Sequence, residues 1–443
     1  MPAAPRHLGV WSGVGIVIAN MIGAGVFVSA GFMAQDMGPG TLLLAWVVGT
    51  VLALAGTRAY AAVAVLVPRS GGEYRYISDL LHPALGYLAG WATLLLGFSA
   101  PIAINAVAAA SFAETLVPLP SVLGVAAASI VAMTAIHAVN LTLSRRTQNM
   151  LVLVKLVLVV GFVGLGLVAG KGSWPTWTPP HASAGFPLAP FVTSLFYIAY
   201  AFSGWNAAIY TAEEFRDPVR DVARSMAIGC ISVAALYLLV NWIFVANLTP
   251  DRAAAVFHYE ESKITLGHLV TEDLIGPRGA KVMSAFAVVA FLSTMSAMMF
   301  AGPRVCAAMA EDGFLPGVLV GRAGRPPSAS VLLQGVLSLV LLFTHGLQQT
   351  LQNVGAILTL FSALTAFSLF RVRFGRPDLP RPPASSLVAA AIYVVSATWM
   401  LYFGLKGSSH LLGWLLAVAA VTLVAYAVTR SSRGTPRPPT KHR

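Results

Sequence analysis

Twelve apolar stretches, each about long enough to cross a bilayer, follow one another along this chain and leave little room for anything else. A hydrocarbon core of about 30 Å needs roughly 20 apolar residues per helical crossing. Such runs lie near 12–35, 41–66, 84–112, 121–143, 149–169, 189–212, 226–247, 280–306, 329–347, 350–371, 386–405 and 409–429. In lipid every backbone amide and carbonyl must be satisfied internally, so spans of this length fold as helices. The expected fold class is an all-α polytopic membrane protein with 12 transmembrane helices. Composition agrees, since 57% of the 443 residues are hydrophobic and 10% charged, against about 25% charged in an ordinary soluble domain. The first run is too long for a cleaved signal and lacks a small-residue cleavage site, so it is expected to remain as a span.

Positive charge is retained on the cytoplasmic side of a membrane, which sets an orientation. With both termini cytoplasmic, only Lys171, Arg252, Lys263, Arg278, Lys281 and Lys406 of the 28 Lys and Arg fall in outer loops. Most of the others gather at inner ends, above all Arg371, Arg373, Arg376, Arg381 and the tail from Arg430 to Arg443. The net charge of +12 thus has a topological origin in a cytoplasmic membrane, and no nucleic acid partner is needed. The tail 430–443 is polar, Pro-rich and expected to be disordered. Cys230 and Cys306 both fall within spans, and two thiols make neither a disulfide framework nor a metal-ligand spacing. No phosphate-cradling loop, H-E-x-x-H or nucleophile elbow is present. The loops are too short for a catalytic domain, so neither an enzyme nor a cofactor is expected. The longest loop, with Asp251, Glu260, Glu261, Glu272 and Asp273, reads as a solvated outer face.

Two interruptions separate a carrier from a scaffold. The first span contains NMIGAGVFVSAG (Asn20 to Gly31), with Gly23 and Gly25 near mid-membrane, and the sixth contains Ser203-Gly204 followed by Trp205. Glycine loosens a helix because it has the greatest backbone freedom. Alone, such a glycine more often marks close helix packing. A matched pair of interrupted spans instead points to a transporter's binding site. The two breaks lie five spans apart, an odd offset, so the second unit crosses the membrane in the opposite sense. Spans 1–5 (about 12–169) and 6–10 (about 189–371) then form an inverted 5+5 repeat after a short N-terminus of residues 1–11. Helices 11 and 12, within 372–429, are appended.

The motifs in their order resemble those of the amino acid, polyamine and organocation (APC) superfamily of permeases, nearest to its bacterial and L-type amino-acid transporters. IGAGVF (Ile22 to Phe27) is similar to the first-helix signature, PRSGGEYRY (Pro68 to Tyr76) to the second loop, and LGYLAGW (Leu85 to Trp91) follows it. FSGWNAAIYTAEEFRDP (Phe202 to Pro218), AEDGFLP (Ala310 to Pro316) and RPDLPRP (Arg376 to Pro382) complete the likeness. The family's Tyr-Ala-Glu at the inner end of helix two is here Tyr60-Ala61-Ala62, without the carboxylate, and Ala223 replaces a usual proline. The resemblance implies a LeuT-type fold with helices 1 and 6 unwound, and a small-molecule amino acid as the partner.

On that fold, the amides that open the second half of helix one suit a carboxylate, while carbonyls ending the first halves of helices one and six suit an ammonium group. Ile22, Gly23, Ala24, Gly25 and Val26, with Ala201, Phe202, Ser203, Gly204 and Trp205, are therefore the expected substrate contacts, with Asn206, Asn105 and Ser99 as weaker candidates. Trp205 lies far from the interfacial belts where membrane tryptophans anchor, and is the expected gate. Lys155 sits inside the fifth span, where ionisable residues are costly and serve function by default. A lysine can also snorkel to an interface. The resemblance implies that its ammonium replaces a sodium ion and ties helix 1 near Gly23 to Ser293 or Thr294. With no Asp or Glu evident at mid-membrane, sodium-independent exchange of neutral amino acids is expected. The alternative is proton-coupled symport or antiport of cationic amino acids or polyamines, with Glu114 or His137 as proton carriers, although His137 also reads as a satisfied core residue. A sensor that binds an amino acid without moving it, and a channel, are the readings from other classes.

Overall fold

A computed structural model describes residues 8–179, 185–249, 266–321, 327–343 and 347–407, with a few isolated positions up to 427. Among these residues the secondary structure is helical apart from one isolated bridge between Leu8 and Phe215. Ten helical stretches among the described residues are long and apolar enough to cross a membrane. The chain forms α1 (Val10–Met21), α2 (Ala24–Ala34), α3 (Pro39–Leu66), α4 (Glu73–Leu80), α5 (Pro83–Ala92), α6 (Ala100–Glu114), α7 (Val122–Val139) and α8 (Leu141–Ala169). It continues as α9 (Leu188–Phe202), α10 (Pro218–Asn247), α11 (Leu266–Ile275), α12 (Gly279–Ala301), α13 (Pro303–Glu311), α14 (Ser328–Leu342), α15 (Leu347–Gly375) and α16 (Ala384–Gly407).

Local chemistry sets many of the boundaries. Proline stands in the first turn of α3, α5, α10 and α13, where its missing N–H is no loss. Side chains of Ser121, Asn140 and Asp217 accept from the first free amides of α7, α8 and α10. A π turn over Thr93–Ser99 joins α5 to α6. Pro101 cannot donate to Gly97, which disrupts the ordinary ladder there, and Ala100 N–H reaches back to the Leu95 carbonyl instead.

Burial sorts the helices into an inner and an outer set. The apolar window of the first span, α1 with α2, is wholly buried, whereas α7 and α16 have only 28% of theirs buried. Their exposed Val131, Val139, Val388 and Val395 form a face suited to acyl chains. The inner set packs α1 on α10, α2 on α9, and α3 on both α9 and α10.

Several expected boundaries move. The ninth span, expected over 329–347, is the 15-residue helix α14. It rises only about 22 Å and is not among the ten full-length candidates. The seventh begins at Pro218 instead of 226, because Asp217 caps a polar first turn that composition alone reads as loop. The loop after the second span contains the unexpected helix α4. The expected twelfth span, 409–429, lies almost wholly outside the described residues, as do the tail 430–443, residues 1–7, Asp251, Arg252, Glu260, Glu261 and Lys263.

Candidate functional site

Both expected interruptions are present in the backbone, and they face each other. Helix α1 ends at Met21 and α2 begins at Ala24, with Gly23 extended at φ −142°. Helix α9 ends at Phe202, Ser203 leaves helical geometry with ψ 136°, and Gly204 takes φ +105°, a region that side-chain-bearing residues rarely enter. A 3-10 segment, Ala207–Glu214, then continues the sixth span. A Cβ on Gly25 would sit 2.5 Å from the Ala201 Cα, and one on Gly204 would sit 2.8 Å from the Asn20 backbone carbon. Gly25 and Gly204 therefore serve close packing, and Gly204 also the interruption of its helix.

The backbone groups released by the breaks are held by buried side chains. Tyr237, on α10, donates its hydroxyl toward the carbonyl of Met21 at 2.6 Å and that of Ala201 at 3.0 Å, joining the ends of α1 and α9. The Ala24 N–H donates to Asn105 Oδ1 at 3.1 Å, so the first amide of α2 is engaged from α6. Removing one partner of a buried hydrogen bond costs about 1–3 kcal/mol, and Tyr237 serves two carbonyls. Tyr237→Phe is accordingly expected to lower the thermal midpoint by several degrees and to reduce amino-acid binding severalfold, measured by thermal shift with and without amino acid. A midpoint and an affinity equal to the wild type would show that the hydroxyl is dispensable.

Lys155 is fully enclosed. Its ammonium donates to the carbonyls of Ala19 at 2.8 Å and Ile22 at 2.7 Å and to Thr294 Oγ1 at 3.0 Å, so it does not reach an interface. The Ile22 carbonyl also accepts from Thr294 Oγ1 at 2.7 Å. Of the two expected partners on α12, Thr294 makes the contact, and Ser293 Oγ is buried without a partner among the described residues.

A cavity of about 70 Å³ lies beside the second break. Phe202, Ser203, Gly204, Trp205 and Asn206 line it, with Asn20 from α1, Met298 from α12 and Thr359 and Ser362 from α15. Ile22 to Val26 and Ala201 do not line it and are packed within the bundle. Trp205 is wedged in the wall, its ring 4.6 Å from that of Tyr60 and 6.4 Å from that of Tyr393. A Cβ on Gly56 would meet the Trp205 ring at 3.0 Å.

The cavity wall also contains a carboxyl group that sequence reading left in a loop. Glu73, the first residue of α4, is buried and lines the cavity. Its Oε1 accepts from Tyr60 at 3.0 Å and from Asn206 Nδ2, and its Oε2 accepts from Tyr210 at 2.5 Å. The premise that no acid approaches the centre therefore needs correction. Glu73 lies outside the membrane-spanning helices, but Gly71 (φ +117°) and Gly72 (φ +61°) turn the chain inward and deliver it. The paired glycines just ahead of an acid were the available signal. Tyr237 had no comparable signal, being one aromatic in an apolar span.

The remaining candidates lie elsewhere. Glu114 is exposed at the end of α6. His137 is buried, with Nδ1 2.6 Å from Ser144 Oγ and Nε2 2.9 Å from Ser296 Oγ. Ser99, in the π turn, is buried with no partner for its hydroxyl among the described residues. Glu214, at the end of the sixth span, pairs with Arg304 at 2.6 Å, and its carbonyl accepts from the Leu8 amide.

A family profile described as amino acid permease matches residues 8–427. The large neutral amino acids transporter small subunit 2 of Mus musculus is 27% identical over 437 residues, covering 96% of this chain and 81% of its own. The Mus musculus b(0,+)-type amino acid transporter 1 is 24% identical over 410 residues, covering 89% and 82%. The Mus musculus Asc-type amino acid transporter 1 is 26% identical over 421 residues, covering 90% and 77%.

Proposed function

The chain belongs to the amino acid permease family, a family of membrane transporters and not of enzymes, and from that premise we propose that it is a sodium-independent secondary carrier that exchanges neutral amino acids by alternating access. The observation that carries this reading is the pair of interrupted helices meeting at Gly204 and Asn20 beside a cavity. Breaks placed five spans apart support a LeuT-type core of two inverted five-helix repeats, about 12–169 and 189–371, with two further helices to 429 for a total of twelve. The charge distribution supports a cytoplasmic membrane location with both termini inside.

Sodium independence rests on Lys155. Its ammonium sits among two carbonyl oxygens and a hydroxyl, an oxygen cage of the kind that holds a hard cation, so a fixed positive charge stands where an ion would otherwise be recruited. Neutral substrates are favoured because both oxygens of Glu73, the one acid in the cavity wall among the described residues, are already engaged. The name of the large neutral amino acids transporter among the relatives points the same way. The second reading, proton-coupled movement of cationic amino acids or polyamines, is favoured only by the presence of that acid.

Purified protein in liposomes tests these alternatives. Labelled leucine is expected to enter only when the lumen holds unlabelled neutral amino acid, at an unchanged rate when choline replaces sodium. Sodium-dependent uptake would overturn the Lys155 argument. Uptake into empty vesicles driven by a pH gradient, or preference for arginine, would favour the second reading. Binding without any uptake would make the protein a sensor.

A further inference from the structure

We propose that Glu73 is a titratable latch, a positioning residue that fastens the loop helix α4 to the second half of the broken sixth span and thereby sets Trp205 and Asn206 in the cavity wall. The inference rests on the carrier reading for its role in turnover, but its geometry stands independently.

The latch joins three segments through one carboxyl group. Tyr60 comes from α3, Glu73 from α4, and Asn206 and Tyr210 from the sixth span beyond its break. The pieces are also interlocked by shape, since a Cβ on Gly72 would meet the Tyr210 ring at 2.2 Å. Tyr60 carries the connection onward, because its ring supports Trp205 at 4.6 Å. On its other side α4 is tied down by Arg75, which pairs with Glu311 at 3.1 Å and with Asp312 beyond α13. Glu73 therefore stands between a fixed ionic anchor and a short 3-10 segment whose Thr211 departs from helical geometry.

The groups facing Glu73 in the wall are phenols. Tyr60, Tyr210 and Tyr393 approach it from α3, the sixth span and α16, and Tyr76 lies on its own helix. Ser362 and Thr365 of α15 stand beside Tyr60 and carry no charge. The charged groups of this region, Arg69, Arg75, Asp79, Glu311 and Asp312, form the ionic cluster with which α4 meets the loop and the end of α13. His82 and Arg371 hold the turn into α5 through backbone contacts, and Arg376 donates to the Asp79 carbonyl of α4. Burial pushes the Glu73 carboxyl above the ordinary carboxylate range, and the hydrogen bonds from Tyr210, Tyr60 and Asn206 pull it back only in part. A closed state that holds the proton more tightly than an opened, hydrated one is favoured as pH falls and is released as pH rises through that raised value. The proton leaves to water when the latch opens, and the carboxylate is then solvated.

Hydrogen exchange of residues 203–214 in full-length protein in nanodiscs tests the latch, with rates corrected for the intrinsic pH dependence of exchange. In the wild type, local opening is expected to increase by on the order of tenfold between pH 5 and pH 8. Glu73→Gln, a neutral isostere, is expected to stay near the low-pH level at both values. Glu73→Ala is expected to open about tenfold more than Glu73→Gln at both. Tyr210→Phe, which keeps the ring and removes one donor, is expected to fall between them and serves if the alanine variant does not fold. Opening that is independent of pH in the wild type, or equal in the glutamine variant and in whichever of the alanine and phenylalanine variants folds, would overturn the proposal. Parallel liposome uptake separates the two readings. Uptake without these exchange differences sinks the latch alone, and exchange differences without uptake sink the carrier alone.

Discussion

Lys155→Met is expected to reduce exchange by roughly 10–100-fold while changing the thermal midpoint by only a few degrees. The side chain makes three hydrogen bonds from a charged donor, to Ala19, Ile22 and Thr294, each worth about 1.5–3 kcal/mol when its partner is present. Relief of the desolvation of a fully buried ammonium offsets part of their loss in stability, while Ile22 keeps Thr294 as a donor and the Ala19 carbonyl loses the lysine at a cost of about 1–3 kcal/mol. No such compensation applies to turnover. The three contacts couple the end of α1 to α12, and a carrier must pass through states in which these elements shift. If one of these contacts differs between states, about 1.4–2.8 kcal/mol enters the cycle, which is 10–100-fold in rate. Lys155→Arg is expected to fail as well, because a planar five-donor guanidinium does not fit an enclosed site shaped for a compact ammonium. Uptake by Lys155→Met within about threefold of the wild type would show that this lysine only fills space.

Much of the architecture was legible because lipid removes alternatives. Apolar runs of bilayer length can only be helices, and the observed α3, α12 and α16, and α9 together with its 3-10 continuation, follow the expected spans closely. The two breaks were legible for the same reason, since Gly23 and Gly204 stand in segments that otherwise have every incentive to continue. Boundaries at the polar margins were not. The first turn of α10 carries Arg220, Asp221 and Arg224, and a hydropathy argument cannot tell a capped, solvated turn from a loop.

Within the site, what could not be read is what comes from elsewhere in the sequence. Asn105 takes the Ala24 amide from 81 positions away. Tyr237 takes the Met21 and Ala201 carbonyls from 216 and 36 positions away. Sequence reasoning assigned those backbone groups to a ligand because exposed polar backbone in a membrane needs a partner. The requirement was sound, but the protein itself supplies several of the partners. Glu73 was missed because a loop acid is ordinarily solvated, and only the consecutive left-handed glycines redirect it.

Gly204→Ala is expected to cost several kcal/mol and to abolish exchange, whereas the same change at Gly161 is expected to be harmless or stabilising. At Gly204 two penalties coincide. An alanine at φ +105° is strained by about 1–3 kcal/mol. Its Cβ would also press to 2.8–2.9 Å on backbone and side-chain atoms of Asn20, and forced overpacking costs about 1–3 kcal/mol more. Asn20 cannot yield easily, because its amide group is already bonded to the Ile16 carbonyl at 2.8 Å. The strain falls where α1 and the sixth span meet, so it is felt in the cavity wall as well as in stability. Gly161 is exposed on α8 with nothing within 4 Å of its added Cβ, and in a regular helix alanine is favoured over glycine by about 1 kcal/mol. Thermal midpoints and exchange rates of the two variants, measured side by side, check the argument. Equal effects would mean that the sixth span tolerates a side chain at its interruption and that the break is not the constrained element of the site.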